Sequence, residues 1–249
     1  MLSLTGMLIL VISDIHGNLT ALEAVLADAG EFDVTWCLGD LVGYGPDPNE
    51  CVKRVRGLRG LKCLVGNHDK AALGDIDLSA FNADARRAVA WTRAALTPAS
   101  CDYLRNLPET IENGKYTLVH GSPRQPVWEY ILDRPTATLN FPYFATPYCL
   151  VGHTHSPVIF TQFSESALCE ERRPRRSEKI RLNQTRRILN PGSVGQPRDN
   201  DPDAAYVMLD TDQGVWEQRR VAYDVAETQA RMAGYDLPER LVTRLAFGW

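Results

Sequence analysis

The apolar positions of the first 70 residues alternate between a strand pattern and a helix pattern. Leu8–Ile12 are a continuous β-rich apolar run, which predicts a buried strand. Asn18 then opens a stretch with apolar residues every three to four positions, which predicts a helix. Further strands are predicted over 34–38 and 61–65, with a short helix over 48–56 between them. This alternation is typical of an α/β sheet whose neighbouring strands are largely parallel.

The middle of the chain is more helical, and short strands dominate after it. A helix is predicted over 82–96, and Thr97-Pro98 opens the next one, because a capping residue there precedes a first-turn proline. Asn113-Gly114 lies between two β-rich stretches and predicts a tight hairpin. The later pattern predicts strands over 148–151, 157–160, 187–189, 205–209 and 215–220, and helices over 224–233 and 238–245.

Composition narrows the class of protein. The chain has 249 residues, of which 44% are hydrophobic and 23% charged, as in an ordinary globular protein. Because no internal repeat or long linker interrupts it, residues 1–249 are expected to form a single domain. The formal net charge of −4 argues against non-specific nucleic-acid binding.

Cysteine usage and the start of the chain favour a cytoplasmic protein. None of the six cysteines forms a C-x-x-C pair and their neighbours are apolar, which predicts free buried thiols in a reducing compartment. No apolar run is long enough to cross a bilayer, and the first residues lack the features of a signal peptide. Because Met7 directly precedes a predicted strand, it is a candidate for the true start of the chain.

Residues 170–187 differ from the rest in being rich in arginine. One interpretation is a solvated hairpin arm whose arginines keep it soluble. The other is a contact surface for a polyanionic substrate or partner.

All five histidines lie just after predicted strands, in short segments that also contain Gly, Asp or Asn. The segments are Asp14-Ile15-His16-Gly17-Asn18, Gly66-Asn67-His68-Asp69, His120-Gly121 and Gly152-His153-Thr154-His155, and Gly39-Asp40 fits the same description without a histidine. In open α/β sheets, ligands bind at the carboxyl ends of strands. A lone histidine is more often structural, but converging imidazole and oxygen ligands suit divalent metals. The set therefore predicts a metal site.

The spacing within these segments indicates two ions rather than one. In an extended segment Asp14 and His16 project on the same side, and His153 and His155 do likewise. A bridging carboxylate, Asp40, would hold two ions close together. Such sites have metals about 3.5–4 Å apart, clamp a phosphoryl group and activate a bridging water.

The order D-x-H, G-D, G-N-H-D, H-G and G-H-x-H resembles that of the calcineurin-like metallophosphoesterases, and residues 190–198 resemble a block of the bacterial phosphodiesterase-like branch. This resemblance implies an α/β fold in four layers, α/β/β/α, with two mixed sheets flanked by helices. It also implies site roles. The first metal would be held by Asp14, His16, Asp40 and His155. The second would be held by Asp40, Asn67, His120 and His153.

The resemblance places His68 and Asn67 against the substrate. His68 would act as general acid to the leaving oxygen or as a stabiliser of phosphoryl charge. Asp69, the other candidate catalytic residue, would either orient that loop or act as a carboxylate at a helix N-terminus. Tyr44 is expected in a pocket wall. For Asn190, Ser193 and Arg198, turn chemistry and contact with the site both remain open.

The function implied is hydrolysis of a small phosphoester by a metal-bridging hydroxide, in a phosphodiesterase or a broad phosphohydrolase. The two divalent ions are expected to be Mn²⁺, with Fe, Zn²⁺ or Ni²⁺ as alternatives. A protein phosphatase or a diadenosine tetraphosphatase is disfavoured, because no Asp-Arg pair follows Gly39-Asp40. The alternatives are a catalytically weak assembly scaffold of the same fold and a nuclease for short nucleic acids. No membrane contact is expected, and the oligomeric state is left open.

Overall fold

A computed structural model describes residues 6–249 and contains two six-stranded mixed sheets. The first has the order β3-β2-β1-β11-β12-β9 and the second β4-β5-β6-β10-β7-β8. The strands are β1 Leu8–Ile12, β2 Val34–Cys37, β3 Lys62–Cys63, β4 Thr110–Asn113, β5 Tyr116–Val119, β6 Tyr148–Leu150, β7 Val158–Gln162, β8 Glu170–Arg172, β9 Lys179–Arg181, β10 Arg186–Asn190, β11 Ala204–Asp210 and β12 Val215–Val221.

Helices flank both sheets, and capping residues set where several of them begin. Asn18, Asn82 and Thr97 each accept a hydrogen bond from a backbone N–H of the first turn. The helices are α1 Leu19–Ala29, α2 Pro48–Arg56, α3 Asn67–Leu73, α4 Ala83–Ala95, α5 Pro98–Arg105, α6 Arg134–Asn140, α7 Val225–Gly234 and α8 Glu239–Arg244, with short 3-10 turns at Leu78–Ala80 and Phe141–Tyr143.

The alternation of side chains along the strands produces four layers. The core between the two sheets takes side chains from both, among them Ile9, Val11, Trp36, Leu118, Leu150 and Trp216. Leu10 and Ile12 point the other way and pack with the buried faces of α1 and α2. Beyond the second sheet, Val151 and Phe160 pack with α6 residues. The expected α/β/β/α sandwich is therefore confirmed.

The strand directions explain why the site lies at one end of the sandwich. Strands β1, β2 and β3 are parallel to one another, as are β5, β6 and β10. The remaining neighbours are antiparallel, so both sheets are mixed. The parallel strands of each sheet therefore end at a common edge, where the histidine-bearing loops begin.

The predicted strands and helices are all found, with ends shifted by at most a few residues. The pattern missed α3 and α6, since each has only seven residues and shows no complete apolar period. All six cysteines are free, and five of them are buried, as predicted. Within residues 6–249, no helix is both long and apolar enough to cross a membrane. The prediction that Met7 is the true start depends on the residues before it. Residues 1–5 lie outside the described part of the chain.

The hairpin interpretation of residues 170–187 is wrong. Strand β8 pairs with β7 at the edge of the second sheet, whereas β9 pairs with β12 at the edge of the first. The segment therefore crosses from one sheet to the other. In β9, Ile180 is buried in the core between the sheets, while its neighbours Lys179 and Arg181 are exposed. Three of its arginines lie within ion-pair distance of carboxylates, in the pairs Arg172–Glu178, Arg173–Glu171 and Arg176–Asp203.

Candidate metal centre

Loops that follow five strands meet at one end of the two sheets and bring the sequence-predicted residues together. These residues are Asp14 and His16 after β1, Asp40 after β2, Asn67, His68 and Asp69 after β3, His120 after β5, and His153 and His155 after β6. Each of them is at most 4% exposed. Burying this many ionisable groups is costly unless they pair with one another or bind a cation.

The backbone of this region is strained. Five residues, Asp14, His16, Asp40, His153 and His155, have positive φ values between 51° and 66°. That left-handed conformation is uncommon for residues other than glycine, and it persists only where the surroundings impose it. Backbone hydrogen bonds between loops impose it here, for example from His16 N to Asp40 O at 2.9 Å.

The side chains form two groups that share one carboxylate. In each group, one potential ligand atom per residue lies within 4.8 Å of those of the others. The first group is Asp14, His16, Asp40 and His155, and the second is Asp40, His120 and His153. Asn67 joins the second group, because its Oδ1 lies 3.1 Å from His120 Nε2. Asp40 Oδ2 has no hydrogen-bond partner although it is buried.

The remote ring nitrogens of four histidines face backbone carbonyl oxygens. The pairs are His16 Nδ1–Val42 O at 3.2 Å, His120 Nδ1–Leu38 O at 2.8 Å, His153 Nε2–Trp128 O at 3.2 Å and His155 Nδ1–Gln196 O at 2.6 Å. A nitrogen that faces a carbonyl oxygen must carry the proton, so in the neutral ring the other nitrogen has a free lone pair. This arrangement orients imidazoles for metal binding.

The contact between His16 and His155 tests whether a cation fits. Their Nε2 atoms lie 3.0 Å apart, and His155 Nε2 lies 3.3 Å from Asp14 Oδ1. Since both Nδ1 atoms donate to carbonyls, the two Nε2 atoms face each other with lone pairs and no proton between them. A divalent cation satisfies both lone pairs and the carboxylates, and the donor set of imidazole and carboxylate oxygen fits such an ion.

Burial and neighbouring charges leave three of the four candidate ligand histidines neutral, as metal binding requires, whereas His120 holds a proton that a bound cation would displace. Burial lowers the pKa of His16, His153 and His155, so these imidazoles are neutral. Burial also disfavours the charged forms of Asp40 and His120. The attraction between the Asp40 carboxylate and the His120 imidazolium is stronger and keeps both groups charged. It lowers the pKa of Asp40 below the usual range for aspartate and raises that of His120 to about 10.

His68 lies beside these groups but belongs to neither. Its backbone N–H donates to Asp40 Oδ1 at 2.9 Å, and its ring packs 4.3 Å from Tyr44 and 5.1 Å from Phe81, centroid to centroid. Its Nδ1 is buried and has no hydrogen-bond partner. A Cβ on Gly43, which has a φ of 95°, would lie 2.7 Å from that nitrogen, so glycine is needed there.

A cavity of about 430 Å³ opens onto His68 and Asn67. Tyr44 forms part of its wall, as does Arg198. The other lining residues are Phe81, Asn82, Asp84, Ala85, Trp128, Tyr130, Arg240, Leu241 and Arg244. Asn67 is the one candidate metal ligand among the lining residues, so a molecule bound in the cavity would lie beside the ligand groups.

The calcineurin-like phosphoesterase superfamily domain matches residues 7–214. The chain belongs to this superfamily. Calcineurin-like relatives also match it over almost their whole length. A metallophosphoesterase from Sphaerobacter thermophilus is 48% identical, with a TM-score of 0.91 over 98% of this chain and 100% of that one. An uncharacterized protein of Methanocaldococcus jannaschii is 37% identical over 97% of this chain and 98% of its own.

A shorter likeness concerns the symmetrical bis(5′-nucleosyl)-tetraphosphatase of Pectobacterium carotovorum. It is 40% identical over 62 residues, which are 23% of this chain and 22% of that protein. Because the match covers under a quarter of either chain, it reflects a local block that two calcineurin-like proteins share.

Asp69 accepts hydrogen bonds from backbone groups around the calcineurin-like site. Its carboxylate accepts from Gly66 N at the start of α3 and from Asp40 N, both at 2.9 Å, and from Val42 N at 3.1 Å. Asp69 therefore makes the contacts expected for both alternatives, loop orientation and helix capping. Asp69 is not among the residues that line the cavity, and its three hydrogen bonds go to backbone N–H groups.

Sequence reasoning missed Ser13, which braces the calcineurin-like site together with two residues whose role it had left open. Ser13 Oγ donates to Asp14 Oδ2 at 2.6 Å, and Ser193 Oγ donates to the Asp14 carbonyl at 2.8 Å. Asn190 Nδ2 donates to the carbonyl of Gly152 at 2.7 Å. Of the turn residues left open above, Asn190 and Ser193 thus brace ligand loops, and Arg198 lines the cavity. No sequence signal identifies Ser13, since its role depends on a neighbour that only the fold supplies.

Replacing Asp69 with asparagine is expected to lower the free energy of unfolding by roughly 1–3 kcal/mol. An amide offers one oxygen where three backbone N–H groups converge, so buried donors lose their acceptor. Urea unfolding and metal affinity measure this, because release of the Asp40 loop should also weaken metal binding. Asp77→Asn is the control, since this exposed capping position accepts asparagine as well as aspartate. Unchanged metal affinity in Asp69→Asn would contradict the positioning role.

Replacing Gly66 with alanine should disturb the same loop by steric overlap. A Cβ there would overlap the Asp40 carboxylate and lie 2.5 Å from Asp40 N, which is backbone. We expect a loss of roughly 1–3 kcal/mol in unfolding free energy, together with lower metal content. Gly234→Ala in α7 is the matched control. It meets no atom within 4 Å and should raise stability by roughly 0.5–1 kcal/mol, or leave it unchanged. Equal effects of the two substitutions would refute the overlap.

Proposed function

We propose that this chain is a metal-dependent phosphoesterase that holds two divalent cations side by side and cleaves phosphodiesters. The observation that carries the proposal is the shared position of Asp40 between two ligand groups. The facing, proton-free Nε2 atoms of His16 and His155 support it, because only a cation satisfies both.

The ligand assignment follows from these groups. We assign Asp14, His16, Asp40 and His155 to one ion, and Asp40, Asn67, His120 and His153 to the other. When bound, two such ions would activate a water and neutralise phosphate charge. Mixed imidazole and oxygen ligation suits Mn²⁺, our first choice, as well as Fe, Zn²⁺ or Ni²⁺.

The chain itself supplies orientation and a proton donor. The backbone contact to Asp40 fixes His68 in the cavity wall. Its Nδ1 is enclosed next to Gly43, so Nε2 is the ring nitrogen that would bond a phosphoryl or leaving oxygen. Burial lowers the pKa of His68 to about 4, so the free ring is neutral. The dianionic or monoanionic phosphate of a small phosphoester would favour its protonated form. Asn67 presents its amide beside this histidine and also contacts the substrate in this assignment.

Hydrolysis of bis(p-nitrophenyl) phosphate and of p-nitrophenyl phosphate, at matched concentrations with added Mn²⁺, tests the function. Faster turnover of the diester, abolished by EDTA and restored by Mn²⁺, is the expected result. Turnover of the monoester alone would overturn the diester preference. Failure to cleave either substrate while two metal equivalents are bound would favour the assembly-scaffold alternative.

A further inference from the structure

Three arginines line the cavity without an Asp or Glu partner in the described part of the chain. Arg244 also donates to the backbone oxygen of Trp249. Arg198 follows β10, whereas Arg240 and Arg244 lie on α8. Within residues 6–249, none of the three has an Asp or Glu side chain within ion-pair distance, unlike Arg172, Arg176 and Arg220. Asp84 is the one carboxylate among the lining residues, so positive charge prevails in the cavity.

These arginines lie close to the metal centre because one glutamine links them to it. Gln196 Oε1 accepts from Arg198 Nη2 at 2.8 Å and from Arg244 Nη1 at 3.3 Å. The carbonyl of the same Gln196 accepts from His155 Nδ1 at 2.6 Å. The Arg198 Nε atom is buried and unpartnered, so this guanidinium keeps donor capacity for a ligand.

Helix α8 is fixed in a position that presents its arginines to the cavity. Leu241 and Leu245 are at most 4% exposed and pack with Ala88 of α4 and Met232 of α7. Arg240 and Arg244 lie next to these anchors in the sequence and line the cavity. Burial and the charge of Arg198 lower the pKa of Arg244 to about 10, as expected where like charges converge. This helix lies outside residues 7–214, which match the superfamily domain.

Aromatic rings that are partly exposed to solvent also line the cavity. Trp128 is 36% exposed and Tyr130 43%, although both line the cavity. Phe81 contacts the Trp128 ring at 5.8 Å, and Tyr130 stacks on His153 at 3.6 Å, centroid to centroid. Exposed rings above a metal centre offer stacking surfaces to a flat group.

We infer that Arg198, Arg240 and Arg244 bind a second anionic group of the substrate, and that Trp128 and Tyr130 stack on its aromatic moiety. The substrate class is then a nucleotide-like phosphodiester with a further phosphate beyond the scissile one. Guanidinium groups suit phosphate because they donate bidentate, charge-assisted hydrogen bonds. This inference rests on the proposed phosphoesterase function and extends it to substrate choice.

Three diesters with the same p-nitrophenyl leaving group separate the two contributions. They are methyl p-nitrophenyl phosphate, thymidine 5′-(p-nitrophenyl phosphate) and its 3′-phosphorylated form. For the unaltered protein we expect KM to fall along the series, with roughly a tenfold drop for the added phosphate. That drop should shrink at high ionic strength, because salt screens exposed charges. Equal KM values for the last two substrates would overturn the anion site. Release of p-nitrophenol from none of the three, with Mn²⁺ present, would instead count against the proposed function.

Two variants assign the effects to residues. Arg240→Ala removes an exposed charge from the cavity lining. It should raise KM for the 3′-phosphorylated substrate roughly five- to tenfold while leaving kcat and the other two substrates unchanged. Arg181→Ala on β9 removes the same charge outside the cavity and should change nothing. Trp128→Leu should raise KM for both thymidine substrates but not for the methyl ester. An Arg240→Ala effect of equal size on all three substrates, or one matched by Arg181→Ala, would refute the assignment.

Discussion

Replacing Asp40 with asparagine should lower the content of both metal ions at once and reduce kcat/KM more than about 100-fold. The reason is that Asp40 is the one residue that belongs to both ligand groups. Residues that merely orient ligands already cost 10- to 100-fold when removed, so a shared ligand should cost at least as much. Metal analysis of the purified variant and titration with Mn²⁺ give the two readouts.

The matched control for this variant is Asp212→Asn, which removes one carboxylate from an exposed turn between β11 and β12. It should keep the metal content and the activity of the unaltered protein. Two full metal equivalents in Asp40→Asn would contradict the bridging role. Loss of one ion only would show that Asp40 serves a single group.

Replacing His68 with alanine is expected to spare metal binding and to lower kcat by roughly 10²- to 10⁴-fold, the usual contribution of a positioned acid or base. His68 contacts Asp40 through its backbone N–H, which alanine retains, while the lost ring is the part that faces the cavity. Metal content and steady-state kinetics separate the two effects. An unchanged kcat would remove His68 from the mechanism.

The leaving group distinguishes the two roles open to His68. If it protonates the leaving oxygen, His68→Ala should harm the hydrolysis of methyl phenyl phosphate far more than that of methyl p-nitrophenyl phosphate, because p-nitrophenolate leaves without a proton. If it stabilises phosphoryl charge, both substrates should lose similar factors. His68→Asn retains an N–H donor and should recover part of the rate only in the second case.

The sequence by itself determined most of the fold. Its apolar periods predicted the strands and helices, because burial of one face per element is a local property of the chain. The order of the four histidine-bearing segments and Gly39-Asp40 was enough to indicate the superfamily and the α/β/β/α layers. The sequence also indicated which residues to expect at the strand ends, since parallel strands place their carboxyl ends together.

Only the tertiary structure decided the contacts that join distant segments. Residues 170–187 are rich in arginine and divide between two sheets, which follows from the burial of Ile180 and not from local pattern. The pairing of His155 with Gln196, and of Gln196 with Arg244 of α8, links residues that lie far apart in the chain. Local sequence sets which residues can bind an ion or an anion. Which of them meet depends on how the sheets pack and where α8 docks, and that is a property of the whole chain.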